Sequence, residues 1–140
     1  MLRVLVVDDD RGIRELLRIA LESEGYAVTT FTDGRGVVEH LATLADPCVV
    51  LLDLSMPYVS GWDVCAALAA DAAALGSHQV AILTAEQLPA DSCPAPARTL
   101  LAKPFDLDAV CTLVASLFAL PGMTPASAIS SSFAASASVH

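Results

Sequence analysis

Short apolar runs alternate along the chain with amphipathic stretches. Leu2–Val7 is rich in β-branched and aliphatic residues and ends in Asp8-Asp9-Asp10. From Gly12 to Glu24, Ile13, Leu16, Leu17, Ala20 and Leu21 recur at helical spacing, with Asp10 as the expected N-cap and Gly25 as the stop. Tyr26–Phe31 reads as a second strand and Asp33–Leu44 as a second helix. Cys48–Leu52 is an uninterrupted apolar strand between Pro47 and Asp53. Gly61–Leu75 follows as a third helix stopped by Gly76, then strands over Val80–Leu83 and Thr99–Ala102. Asp106–Leu120 reads as a last helix capped by Asp106. Between the last two strands, Pro89, Pro94 and Pro96 make a full helix costly, and at most one turn around Ala90–Cys93 is expected.

Strands that are apolar throughout are buried on both faces, and strand–helix alternation implies right-handed crossovers within a parallel sheet. The expected fold is therefore α/β, flavodoxin-like and doubly wound. It has five parallel strands in the order 2-1-3-4-5, with an irregular or shortened helix before the fifth strand. Residues 1–120 form the domain. Residues 121–140, an Ala/Ser-rich stretch uncharged up to His140, are expected to be a disordered tail.

Such sheets place their sites at the carboxyl ends of the strands. That rule gathers Asp8 and Asp9 from the first strand, Asp53 from the third, Thr84 from the fourth and Lys103 from the fifth. Clustered carboxylates repel one another, and a hard divalent cation such as Mg²⁺ offsets that cost while leaving room for phosphate oxygens. An aspartate can itself be the nucleophile of a phosphoryl transfer. Lys103 is the only lysine in the chain, and a compact ammonium suits an anionic acyl-phosphate oxygen. A cis peptide before Pro104 would aim it inward. Thr84 offers a hydroxyl to the same oxygens. Asp10, by contrast, reads as a helix cap.

Bulk properties narrow the function classes. The formal net charge is −9 with no basic run, which argues against nucleic acid as a direct partner. With 140 residues, no output module is expected to follow the first domain. The uncharged stretch Ala109–Leu120 is too short to span a membrane, and the N-terminal apolar run is too short for a signal peptide. A cytoplasmic protein is expected. Cys48, Cys65, Cys93 and Cys111 are too scattered for a metal or disulfide framework.

The segments VLVVDDD, VVLLDLSMPYVSGWD, ILTA and LLAKPF, in this order, resemble the receiver domains of two-component response regulators over about Leu2 to Leu120. The resemblance implies that Asp8 and Asp9 hold Mg²⁺, that the Ser55 backbone carbonyl adds a ligand, and that Asp53 takes the phosphoryl group. It implies that Thr84 and Lys103 contact that group, and that Ser55 and Glu86 lie near the path of a hydrolytic water. The donor would be a histidine kinase or a histidine phosphotransfer protein. The chain would signal by protein contact or phosphorelay, not as an enzyme beyond its own phosphotransfer and slow autodephosphorylation. Two departures stand out. Leu100 occupies the place of the family's switch aromatic, and the segment 87–98 is short for the family's helix there. The last helix carries no charge after Asp108 and is apolar on more than one face, which makes it a candidate homodimer or kinase-docking surface. Two rival readings remain. One is a degenerate receiver that only binds protein. The other is a haloacid-dehalogenase-type phosphatase with Asp8 as nucleophile and Asp10 as acid/base.

Overall fold

The computed structural model describes residues 1–89 and 91–124. Five parallel strands, β1 (Arg3–Val7), β2 (Ala27–Phe31), β3 (Cys48–Asp53), β4 (Gln79–Thr84) and β5 (Thr99–Ala102), form one sheet in the order β2-β1-β3-β4-β5. This is the order the apolar pattern predicts. Arg3 pairs with Ala27 on one side and Cys48 on the other, so β1 and β3 lie centrally, and all six residues of β3 are buried.

Side chains alternate across the sheet and build two cores. Leu5, Val7, Val50 and Leu52 face α2 (Val37–Thr43), α3 (Gly61–Ala70) and α4 (Ala72–Leu75). Val4, Val6, Val49 and Leu51 face α1 (Arg11–Ser23) and α5 (Leu107–Phe118). Asp10 caps α1 by accepting from Ile13 N, and Asp106 caps α5 by accepting from Ala109 N.

Two expectations are corrected by local backbone chemistry, and a third by packing. The helix expected over Asp33–Leu44 begins only at Val37, because Asp33 accepts from Arg35 N and Gly36 turns the chain at φ 78°. The helix expected over Gly61–Leu75 is broken at Asp71 (φ −129°, ψ 82°), whose side chain caps α4 through Ala74 N. Aspartate offers the backbone this alternative to a continuous ladder. The chain also stays packed beyond Leu120: Met123 is buried in the α1/α5 core. The disorder expected of the tail otherwise falls on residues 125–140, outside the described residues.

The connection from β4 to β5 contains turns but no helix among its described residues, with Ser92 N donating to Pro89 O at 2.9 Å. Leu100 of β5 packs on the first core. On α5, Val110, Val114 and Leu117 are buried, and Phe118 stacks on Tyr26 at 5.4 Å. No large apolar side chain of α5 is exposed. The chain itself therefore meets the apolar excess that suggested a dimer surface there. Among the described residues, no helix is long and apolar enough to cross a membrane.

Candidate functional site

The parallel sheet delivers Asp8, Asp53, Thr84 and Lys103 to one edge, as its strand ends dictate. One carboxylate oxygen from each of Asp8, Asp9 and Asp53 lies within 4.8 Å of the others. Asp8 and Asp53 are buried, while Asp9 is exposed at the mouth. Lys103 reaches in from the end of β5, with Nζ donating to Asp8 Oδ2 at 2.7 Å and lying 3.5 Å from Asp53 Oδ2. The Lys103–Pro104 peptide is cis, as expected from the sequence.

Two cations thus meet the acidic edge, and the second was not anticipated. Arg14, in the first turns of α1, reaches back and donates from Nη1 to Asp8 O at 2.8 Å. The backbone N–H of Asp10 donates to Asp8 Oδ1 at 2.9 Å. Asp8 is therefore satisfied on both oxygens and at its carbonyl. Asp53 is less well provided for. Ser55 N donates to its Oδ1 at 3.3 Å. Burial, followed by the Asp8 charge, pushes its carboxyl above the usual carboxylate range, and Lys103 offsets this only in part. Burial opposes the Lys103 charge, but its hydrogen bond to Asp8 and the two carboxylate charges outweigh it and hold the ammonium protonated.

Three clustered carboxylates are a set of hard oxygen donors, the type that Mg²⁺ takes. The residues present therefore fit that ion, and Asp8, Asp9 and Asp53 are the side chains that could hold it. Asp10 stays out of this set, since its Oδ1 is used in capping α1.

Thr84 is fully buried, and its Oγ1 accepts from Glu86 N at 3.0 Å, which leaves the hydroxyl hydrogen to donate. Its carbonyl accepts from Lys103 N at 2.8 Å, tying the ends of β4 and β5 together. Ser55 Oγ donates to Glu86 Oε1, so the loops after β3 and β4 are bridged directly beside Asp53. Gly61 N donates to Leu54 O at 3.0 Å, and a Cβ at Gly61 would stand 2.2 Å from Asp53 O. Only glycine allows the helix to start this close to the acid. Next to Lys103, an open cleft of about 360 Å³ is lined by Ile13, Leu16, Ala85, Pro104 and Phe105.

Comparison with known proteins places this geometry. Residues 4–115 match the response regulator receiver domain family. Response regulator MprA of Mycolicibacterium vanbaalenii is 46% identical over 63 residues, which is 45% of this chain and 27% of that protein. DNA-binding response regulator MtrA of Mycobacterium leprae is 44% identical over 69 residues, 49% of this chain and 30% of that protein. The chain thus spans less than a third of the length of these relatives. Among solved structures, response regulator TrrA of Thermotoga maritima in complex with Mg²⁺–BeF superposes with a TM-score of 0.71 at 31% identity. It covers 84% of this chain and 99% of that one. The receiver domain of Francisella response regulator 1452 gives a TM-score of 0.74 at 26% identity, covering 84% and 97%. The chain belongs to the response regulator receiver domain family.

Proposed function

We propose that Asp53 accepts a phosphoryl group from the phosphohistidine of a histidine kinase or histidine phosphotransfer protein, and that the chain passes the signal on by protein contact or phosphorelay. The observation that carries this reading is Asp53 itself: a buried carboxylate beside Asp8, its carboxyl pushed up by burial, with Lys103 Nζ 3.5 Å from its Oδ2. In this reading a carboxylate oxygen of Asp53 attacks phosphorus, the bond from phosphorus to the donor imidazole breaks, and the imidazole leaves with the electron pair. Lys103 and the Thr84 hydroxyl hold two of the phosphoryl oxygens. Asp8, Asp9, Asp53 and the Ser55 carbonyl would hold Mg²⁺, which supplies charge neutralisation between carboxylate and phosphoryl oxygens. That the structurally similar TrrA was solved in complex with Mg²⁺–BeF supports Mg²⁺ as the cation.

Arg14 and Lys103 keep Asp8 oriented while the charge at the site changes. The Ser55–Glu86 bridge lies where it would limit access of water to the acyl phosphate, and so would set its lifetime. The cleft beside Lys103, together with Leu16 and Ile19 exposed on α1, offers an apolar landing place next to the acceptor for the donor protein. The test is labelling by a small phosphodonor with Mg²⁺, then transfer from purified kinases. Acid-labile label on wild type and none on Asp53→Asn is expected. Label retained by folded Asp53→Asn contradicts the assignment. Absence of transfer from any kinase would favour a degenerate receiver that only binds protein.

A further inference from the structure

We propose that Asp33, Arg35 and Tyr58 form a bracket that positions the loop between β3 and α3, the loop carrying Ser55. The starting observation is a backbone one. Tyr58 has φ 65°, the one non-glycine residue at positive φ among those described. A Cβ in this region crowds the following carbonyl, and glycine is the residue that ordinarily takes it. Burial does not hold the tyrosine there, since it is 77% exposed.

What meets the ring is Arg35, whose guanidinium carbon lies 4.0 Å from its centroid. An exposed arginine is ordinarily mobile, but this one is fixed from behind. Asp33, only 4% exposed, accepts from Arg35 N at 2.8 Å, from Nε at 3.1 Å and from Nη2 at 3.0 Å. The two side-chain bonds set the guanidinium plane, and that plane covers the ring. A second tie runs alongside. Gly34 N donates to Val59 O at 2.9 Å, and a Cβ at Gly34 would stand 2.7 Å from Val59 O and Cγ1. Residues 34–35 of the β2–α2 loop therefore clasp residues 58–59 of the β3–α3 loop. The latter loop is closed at its base by Gly61 N to Leu54 O. Ser55, Met56 and Pro57 lie between these two fixed points, with no regular structure of their own.

The role of Ser55 as a metal ligand rests on the function proposed above, whereas the bracket's hold on the loop does not. Strain relief and loss of the bracket give opposite expectations for one uncharged substitution, with a second as control. Tyr58→Gly relieves the backbone strain, so strain relief alone predicts a loop at least as well ordered. Loss of the bracket predicts a looser one. Tyr58→Phe keeps the ring and should behave as wild type.

The experiment measures amide hydrogen exchange of Ser55 and Gly61 without metal, corrected for sequence. In parallel, titration calorimetry measures binding of Mg²⁺ alone. Tyr58→Gly should lose protection at both amides by about threefold to fivefold, the size an exposed cation–π contact supports. Its Mg²⁺ affinity should fall by a similar factor, and Tyr58→Phe should restore both. Protection in Tyr58→Gly equal to or above wild type overturns the bracket. Lost protection with wild-type Mg²⁺ affinity would keep the bracket's hold on the loop but overturn its bearing on the metal site, because the loop's position would then not matter to Mg²⁺ binding. A wild type that binds no Mg²⁺ counts against the proposed function. Lost protection in Tyr58→Gly would in that case still support the bracket's hold on the loop.

Discussion

His78 should make the stability of this domain pH-dependent in a defined direction. It lies just before β4, 7% exposed, at the sheet edge opposite the acidic site. Cys48 N donates to its Nδ1 at 2.9 Å, and its Nε2 lies 2.9 Å from Leu41 O. A backbone N–H only donates and a carbonyl only accepts, so the ring must be neutral with its hydrogen on Nε2. It then ties the end of α2 to the start of β3. Protonation at Nδ1 would set two donors against each other. Burial holds the pKa below the usual histidine range, with the Leu41 bond opposing and His40 on α2 adding to the fall. The Cys48 thiol beside it is pushed up to about 12 and stays neutral throughout.

The sign follows from linkage. The unfolded chain binds this proton near pH 6.5 and the folded one only at lower pH, so stability falls as pH drops below about 6.5. The slope cannot exceed about 1.4 kcal/mol per pH unit, so the loss between pH 7.5 and 5.5 is up to about 1.4 kcal/mol. Asp53 works in the opposite sense: its raised folded pKa makes the native state gain stability as pH falls through the carboxylate range. The measurement is therefore a difference, urea unfolding of wild type against His78→Gln from pH 8 to 5.5. The gap should narrow as the pH falls, since only wild type loses the neutral-histidine contribution. A gap constant over that range would refute the reasoning.

Four other outcomes follow from the site. Without metal at pH 7.5, Asp53→Asn should raise the urea midpoint, because it removes a charge that burial and the neighbouring Asp8 disfavour; a lower urea midpoint would contradict this. Asp9→Ala should weaken Mg²⁺ binding about tenfold, roughly 1.4 kcal/mol, while urea unfolding of the metal-free protein stays unchanged; wild-type affinity in calorimetry would remove Asp9 from the site. Gly61→Ala drives a methyl against Asp53 O and should cost about 2 kcal/mol or more in urea unfolding, so a neutral result would speak against the close approach. Breaking the Ser55–Glu86 bridge with Glu86→Ala should shorten the phosphoryl half-life more than it slows labelling; an unchanged half-life would mean that water access is controlled elsewhere.

Most of the site was legible because strand ends are legible. A run such as Cys48–Leu52 cannot be anything but buried, and in a parallel sheet the residue after it must emerge at the common edge. Asp53, Asp8, Thr84 and Lys103 follow from that alone. What escaped depends on contacts between distant segments or on one side chain choosing its own backbone. Asp71 breaks an alanine-rich stretch whose propensity favours one continuous helix. His78 carries no periodic signal, and its role exists only once Leu41 and Cys48 come together. Arg14 could have been found, since one turn into α1 its long side chain reaches the Asp8 carbonyl. The pairing of Arg35 with Tyr58 joins two loops that no local pattern connects.

The central claim is that Asp53 is the phosphoacceptor, and intact-mass and peptide mass spectrometry after incubation with a small phosphodonor and Mg²⁺ tests it most directly. The account predicts one added phosphoryl group, lost in acid-lability controls, mapped to Asp53, absent from Asp53→Asn and absent when Mg²⁺ is chelated. A phosphoryl group mapped to Asp8, or one retained by folded Asp53→Asn, would contradict it.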